Sequence, residues 1–519
     1  MPRNTKHSGE ITITDPEAVK ELFGIYPANA RFIGESHESS TRTINGTVTP
    51  VEQTVREFEV VYAGEVPDIC PKCGAKMSKH DSRTVMVSDT PNGGKPTRIY
   101  VTVPRRRCSN SECRYIWKPE MEGIDGKRKI TTRAECSIIE QCVRNTFEEV
   151  GRNYPMTSVS ILNIFSDFIA THKEIMQFRM PEYLGIDEIK VNGRFITVMT
   201  NLEKHTMYNL LEKRTQDFLE DHFASLPLSE REKVKWVCSD MYRPFKKPIG
   251  AYLPNARWAI DHFHVVMKAN LAVDAIRKNI QAKYPGKTGP KFKHGPAYTL
   301  RKRLNDLDSD EADAIRWMRN DPDLSPLATA YDLKEDFFNI YDENPSSRES
   351  AEQAFADWEA SLPPAPEDEN EEDIYAPFRE LAATVHNFYE PIFAIWDCDI
   401  AISNGYTECS NRLTRETHLR GRGYSFETLR AKVLLRNVNI EKAIREGSAN
   451  YDGPVLTENN MSSLQYYEQT ANDGYDLTAQ AYSADGHTFD SETGELLDDN
   501  TEQTDSNNSL NIADDRESF

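Results

Sequence analysis

The stretch Tyr183-Leu-Gly-Ile-Asp187-Glu-Ile-Lys190 constrains this chain more than any other. Leu184, Ile186 and Ile189 give it strand character, and residues 194–199 follow across Val191-Asn192-Gly193 as a hairpin partner. An aspartate in mid-strand runs against β-propensity, and a buried charge needs a partner. An edge or turn aspartate would explain one such case. A second strand repeats the pattern, because Val234-Lys-Trp-Val-Cys-Ser-Asp240 also runs apolar into a carboxylate. Two strand-borne carboxylates and a third from a helix would make a site for hard divalent cations.

Around these residues the pattern predicts strands at 183–191, 194–202, 205–212, 234–239 and 256–261, with a helix at 216–223. The last strand runs into Asp261-His-Phe-His264 and a helix over 265–280. Three antiparallel strands, a helix, then strands each followed by a helix is the order of an RNase H-like core. Helical stretches near 297–306, 310–319, 325–341, 348–360 and 375–397 read as an insertion. The stretch Ile400–Asn411 opens a further helix, with Glu408 in its first turns, where the helix dipole favours an anion.

Cys70-Pro-Lys-Cys73-Gly and Cys108-Ser-Asn-Ser-Glu-Cys113 are two tight thiolate pairs. Four such sulfurs complete a tetrahedral zinc site, and four closed ligands imply structural Zn²⁺. Residues 97–103 alternate as a strand between the pairs, so the module reads as a zinc ribbon. Arg105-Arg106-Arg107 directly precedes Cys108 and is suited to phosphate. Further on, Thr131 or Thr132 can cap a helix reaching Arg144, with Cys136 and Cys142 as small core residues. Residues 146–165 have a helix-turn-helix rhythm. In it Tyr154-Pro155-Met156 makes the turn and Thr157 caps a second helix with Val159, Leu162 and Phe165 inward. Thr157, Ser158 and Ser160 are its candidate DNA contacts. A purely structural hairpin would give the same rhythm.

The organisation expected is therefore multidomain α/β. An N-terminal extension covers 1–66, a zinc ribbon 67–125 and a helix-turn-helix region 126–178. The first part of the RNase H-like core covers 179–282, the helical insertion 283–399, the final catalytic helix 400–445 and an acidic disordered tail 446–519. Net charge is −21, which looks wrong for a nucleic-acid protein until it is mapped. Residues 450–519 hold 16 Asp/Glu and one Arg, whereas 70–133 hold 15 Lys/Arg and 6 Asp/Glu. The acidic tail either solubilises the protein or competes with DNA for the basic modules. No apolar run approaches the ~20 residues of a membrane span. The start lacks an apolar signal region and the cysteines cluster as metal pairs, so the expectation is a reducing cytoplasm.

Asp187, Asp240 and Glu408 fit one chemistry. Phosphodiester hydrolysis and strand transfer use two Mg²⁺ (or Mn²⁺) about 4 Å apart, and carboxylates suit such hard ions. Asp187 would bridge both, with Asp240 and Glu408 each holding one.

The chain resembles the insertion-sequence transposases of the ISL-three family, which carry a DDE site. The residues that carry the resemblance are Cys70-Pro-x-Cys73-Gly74 with Cys108 and Cys113, Gly185-Ile-Asp187-Glu188, Ser239-Asp240-Met-Tyr242, Asp261-His-Phe-His264-Val265, Ser403-Asn404-Gly-Tyr-Thr-Glu408-x-x-Asn411 and Arg422-Gly-Tyr-Ser-Phe426. They span roughly 70–435, and their order is more specific than any one motif. The resemblance implies Mg²⁺ dependence, recognition of terminal inverted repeats and target DNA, a dimer or larger assembly on paired ends, and a place at the prokaryotic nucleoid. It gives Asp261 and His264 a supporting role beside the catalytic acids, and Arg412 and Arg415 lie where DNA would pass. Cys409 stands where the family often has Gly, and the N-terminal extension and acidic tail are not part of the pattern. Two other readings stay open. One is a domesticated DNA-binding regulator that no longer catalyses. The other is a plain RNase H-like nuclease, which the separate DNA-reading modules argue against.

Overall fold

A computed structural model describes residues 11–44, 47–154, 156–284, 295–344, 347–368, 372–436, 438–440 and 442–443, with 488–489 and 496–497 in the tail. Residues 285–294, which include the basic run Lys291-Phe-Lys-His294, and all else of the acidic tail lie outside the described residues. The chain divides into two units: Met1–Phe178 with Thr417–Tyr451, and Arg179–Glu416 with Asp452–Phe519.

The first unit is built on an eight-stranded sheet. Strand β1 (Thr12–Ile13) pairs with β2 (Ala28–Ile44), which turns back as β3 (Thr47–Tyr62). Next come β4 (Met77–Asn92) and β5 (Lys95–Cys108), joined by Gly93 and Gly94 with φ of +59° and +72°. A two-residue hairpin turn needs that left-handed backbone at both positions, which glycine adopts without a Cβ clash. Strand β3 pairs in parallel with β5, from Arg56↔Thr97 to Val61↔Thr102. The expected boundary near residue 66 is therefore no structural break, since backbone hydrogen bonds run continuously from the extension into the ribbon. Short strands β6 (Ile116–Trp117), β7 (Ile124–Asp125) and β8 (Ile130–Thr131) complete the sheet. Helix α1 (Pro16–Phe23) starts at Asp15, whose side chain accepts from the Glu17 amide, and buries Val19 and Phe23 against Ile25, Val60, Val87 and Ile99.

Three helices follow: α2 (Thr132–Arg144), α3 (Phe147–Asn153) and α4 (Ser158–Thr171), N-capped by the hydroxyls of Thr131, Thr146 and Thr157. Buried Asp89 on β4 accepts from the Thr131 hydroxyl at 2.6 Å and from Arg133, which fixes α2 to the sheet. The inward face of α4 differs from expectation. Ile161, Ile164, Phe165, Phe168 and Ile169 are buried, while Val159 is 62% exposed and Leu162 half-buried. The full i, i+3, i+4, i+7, i+8 stripe starts at Ile161, and Val159 falls off it.

The second unit holds a five-stranded sheet in the order β11-β10-β9-β12-β13. Strands β9 (Tyr183–Val191), β10 (Arg194–Asn201) and β11 (Thr206–Leu211) are antiparallel. Helices α5 (Gln216–Ser225) and α6 (Leu228–Arg231) lead to β12 (Trp236–Ser239), which joins β9 in parallel. Helix α7 (Lys246–Tyr252) leads to β13 (Arg257–Ile260), parallel to β12. Helix α8 (His262–Lys283) then enters an all-helical body of α9 (Pro296–Arg301), α10 (Ser309–Asn320), α11 (Ser325–Asp342), α12 (Arg348–Ala360), α13 (Ala376–Asn387) and α14 (Tyr389–Phe393). They share one core that includes Ile276, Tyr331, Phe337, Trp358, Phe378 and Phe393. Helix α15 (Gly405–Gly421) returns to the sheet. Among the described residues no helix is long and apolar enough to cross a membrane.

Helix α16 (Phe426–Leu434) belongs to the first unit, although residues 400–445 were expected to form one piece with the core. Its Lys432 is buried, and its ammonium donates to the carbonyls of Cys142 and Asn145 (2.8 Å) at the end of α2, beneath the rings of Phe147 and Tyr424. Burial draws its pKa down to about 8. Lys334 does the same for α9, donating to the carbonyls of Leu300 and Lys302. These carbonyls are end groups that no helical amide can reach. Lys432→Met should cost about 1–3 kcal/mol by leaving them unpaired. The measurements are chemical denaturation and hydrogen exchange in the last turn of α2.

Candidate active site and zinc centre

The zinc ligands sit on two similar knuckles. Between β3 and β4 the Cys70 amide donates to the Ala75 carbonyl, and Gly74 (φ +73°) turns its amide back to the Cys70 carbonyl. After β5 the Cys108 amide donates to the Tyr115 carbonyl, and Arg114 takes the left-handed position. Sγ of Cys73 lies 3.4 Å from Cys108 and Sγ of Cys70 lies 3.9 Å from Cys113, with all four sulfurs within 4.8 Å and none in a disulfide. Burial alone would raise the Cys70 thiol, but the Lys72 and Cys73 amides outweigh it and bring it to about 7. Burial pushes the Cys108 thiol up to about 12, so the fit to Zn²⁺ rests on four sulfurs converging within 4.8 Å.

Strand register builds the second site. Ser239 pairs with Ile186 on β9 and with Ile260 on β13. The next residues, Asp240, Asp187 and Asp261, therefore fall level on three adjacent parallel strands, where neighbours run about 4.8 Å apart. This is the carboxyl end of the parallel strands, where open α/β sheets bind ligands. Asp187 and Asp261 are buried. Asp261 is the N-cap of α8, and one turn on His264 places Nε2 2.6 Å from Asp240 Oδ1 and 3.7 Å from Glu408 Oε1.

Glu408 arrives on α15, which docks through polar groups. Asn404 Nδ2 donates to the Ile186 carbonyl at 3.0 Å, and the hydroxyls of Thr407 and Thr200 meet at 2.6 Å. Asn411 donates to Asp187 Oδ2, and the Glu188 amide to Oδ1. The approach is close enough that a Cβ on Gly185 would lie 2.4 Å from the Thr407 hydroxyl and 2.5 Å from that of Thr200. On the neighbouring segments, Arg214 pairs with Glu188 and lies over the rings of Phe195 and Tyr242, tying the residue after Asp187 to the loop after Asp240.

Crowded carboxylates hold protons. Burial, then the charge of Asp240, raises Asp187 well above the carboxylate range. Burial pushes Glu408 up to about 8, against the opposing charge of His264. For His264 burial works downward, but the Asp240 contact and the charges of Asp240, Asp261 and Glu408 together outweigh it and hold the imidazole at about 10. Oδ1 of Asp240, Oδ1 of Asp261 and Nε2 of His264 are buried without a hydrogen-bond partner; the short Asp240–His264 contact has ion-pair distance but not hydrogen-bond alignment. Oxygen-rich, charge-crowded and under-satisfied, the set fits a divalent cation.

The other candidate residues are placed as follows. Arg105 is taken up by Asp81 on the adjacent strand, so it is not the open phosphate contact expected of it. Arg106 and Arg107 have no carboxylate partner among the described residues. The Thr157 hydroxyl caps α4 and bonds that of Ser160 at 3.0 Å, and Ser158 is exposed beside them. Arg412 pairs with Glu416 one turn on, and the charge of Arg415 reaches Glu408. The anchoring roles of Asn404, Thr407 and Asn411 had gone unread. Their signal was a polar stripe through Thr407, Ser410, Asn411 and Thr414 on a helix face that is buried.

Two outcomes follow from this geometry. Gly185→Ala should push α15 off β9 and destabilise the unit by about 1–3 kcal/mol, typical of overpacking, as read by thermal melting. The Glu408 carboxyl is neutral in the fold and ionised in the unfolded chain between pH 4.5 and about 8. The cation-free fold therefore loses stability as pH rises through that window. Glu408→Gln should then melt higher than wild type at pH 8 without added Mg²⁺ and at the same temperature at pH 4.5.

Residues 184–433 match the family model for transposases of the ISL3 type, and residues 67–113 match the zinc-finger model of the transposases IS204/IS1001/IS1096/IS1165. The transposase for insertion sequence element IS1001 of Bordetella parapertussis is 22% identical over 280 residues, covering 53% of this chain and 68% of that protein. One match falls on the four-cysteine centre and the other on the carboxylate site and the helices around it. With both sites borne by matched segments, in the order that the motifs require, the chain belongs to the ISL3 (ISL-three) family of insertion-sequence transposases.

Proposed function

We propose that this transposase is a DDE enzyme that binds terminal inverted repeats, cleaves DNA at their ends and joins them to target DNA. Its second unit is an RNase H-like core with the helices of 283–399 inserted, and Asp187, Asp240 and Glu408 hold its cations. The observation that carries this reading is the row of Asp187, Asp240 and Asp261 across three parallel strands, with Glu408 docked beside it. Buried like charges that serve only the fold are costly, and a retired site would be relieved of them. That favours catalysis over the regulator reading.

Bound Mg²⁺ or Mn²⁺ would activate the attacking oxygen and stabilise the leaving one. The chain's own part is to orient. Asn411 and the Glu188 amide fix both Asp187 oxygens, which sets the carboxylate before DNA arrives. Asn404 and Thr407 set the depth of α15, and hence of Glu408. The N-terminus of α8 lies beside the site, and its dipole favours an anion such as a phosphodiester.

Recognition falls to the first unit. Helices α3 and α4 form the helix-turn-helix, with Ser158 at the exposed start of α4, and the ribbon adds Arg106 and Arg107 as phosphate contacts. The resemblance to other transposases supports a dimer or larger assembly on paired ends, at the nucleoid.

Purified protein with labelled DNA carrying the repeats that flank its gene tests the proposal. Metal-dependent nicking at the repeat ends, lost in Asp240→Asn with binding retained, is the expected result. Binding without cleavage in wild type would establish the regulator instead. Arg107→Ala should weaken binding across sequences alike and lower the salt slope by about one.

A further inference from the structure

The four acids and one imidazole do not form a uniform cluster. Ligand atoms of Asp261, His264 and Glu408 lie within 4.8 Å of one another. Asp187 stands apart from that group, beyond Asp240 in the row of strands, with its two oxygens already engaged by Asn411 and the Glu188 amide. The two sides thus offer different chemistry: carboxylate oxygen only around Asp187, and two carboxylates with an imidazole around Glu408.

The second side also carries the unmet demand. Asp261 is 1% exposed, and its Oδ1 accepts no hydrogen bond; its nearest base is His262 Nδ1 at 3.6 Å. Nε2 of His264 has no aligned acceptor, although it points between Asp240 and Glu408. A purely structural histidine at a helix N-terminus would spend that nitrogen on a carbonyl or carboxylate in good alignment. Here Nε2 lies 2.6 Å from Asp240 and 3.7 Å from Glu408, on a ring that offers a ligand atom within 4.8 Å of those of Asp261 and Glu408.

Resting on the DDE reading, we propose that Asp261 and His264 are inner-sphere ligands of the cation held by Glu408, making that position a mixed imidazole–carboxylate site. An imidazole ligand shifts preference away from Mg²⁺, which favours oxygen, toward Mn²⁺ and later transition ions. The two cation positions of one active site then differ in selectivity, with Mg²⁺ suited to the Asp187 side and Mn²⁺ to the Glu408 side. His264 leaves Asp240 when the cation enters, which frees Asp240 for its own ion.

Pulsed electron paramagnetic resonance on the full-length, zinc-loaded protein with added Mn²⁺ tests this without any turnover. A directly bound imidazole gives a nitrogen coupling on the Mn²⁺ signal. The coupling should be present in wild type and change when the protein carries ¹⁵N-histidine. It should vanish in His264→Asn and persist in His262→Asn. The wild-type spectrum decides the matter even if a variant folds poorly. Mn²⁺ that binds, and is weakened by Asp240→Asn, but shows no histidine coupling would overturn the proposal and leave the all-carboxylate DDE site standing. Coupling lost in His262→Asn instead would also overturn it. No Mn²⁺ binding outside the zinc centre would sink the DDE reading itself.

Discussion

Mutual repulsion among Asp187, Asp240, Asp261 and Glu408 is the constraint on which the second unit depends. Strand register sets three of them level and α15 brings the fourth, all largely out of water. Such an arrangement is unfavourable unless protons or cations compensate it. Without cations the fold compensates with protons on Asp187 and Glu408 and with the imidazolium of His264 against Asp240. The same groups must change state when cations bind, so the site is stable in one condition and competent in another.

Polar docking of α15 follows from that constraint. A helix seated by apolar packing alone could slide or rotate by a fraction of a turn at small cost. Asn404 on the Ile186 carbonyl, Thr407 on Thr200 and Asn411 on Asp187 fix both depth and rotation. Gly185 permits the approach, since any side chain there would occupy the space of two hydroxyls. Behind the sheet residues, Arg214 links the segments after Asp187 and Asp240, so the carboxylates are held from more than one side.

Much of this was legible in the sequence, and the reasons differ by element. Strand alternation and carboxylates at strand positions 187 and 240 were enough to place β9 to β13 within a residue or two. Cysteine spacing gave the ribbon, because a metal imposes its geometry on nearby sequence. The parallel pairing of β3 with β5 was not legible, since register between distant strands leaves no local mark. The roles of buried Lys432 and Lys334 were not legible, because a lysine's job as a helix cap depends on a partner remote in sequence. Arg105 looked like its two neighbours, and only the facing Asp81 separates it from them. The polar face of α15 was hidden for a related reason, since hydrophobic periodicity cannot report a helix buried by hydrogen bonds.

The contact between Lys432 and the end of α2 spans 290 residues of chain. On the ribosome, residues 1–178 of the zinc-bearing unit emerge first, and residues 179–416 must be synthesised before its remaining segment, which carries α16, appears. Until then the last turn of α2 has bare carbonyls beside Phe147 and Phe165, without the Lys432 ammonium that later meets them. Products of premature termination or frameshift would therefore lack a finished zinc-bearing unit. The fold thus ties completion of the zinc-bearing unit to synthesis of the chain through α16.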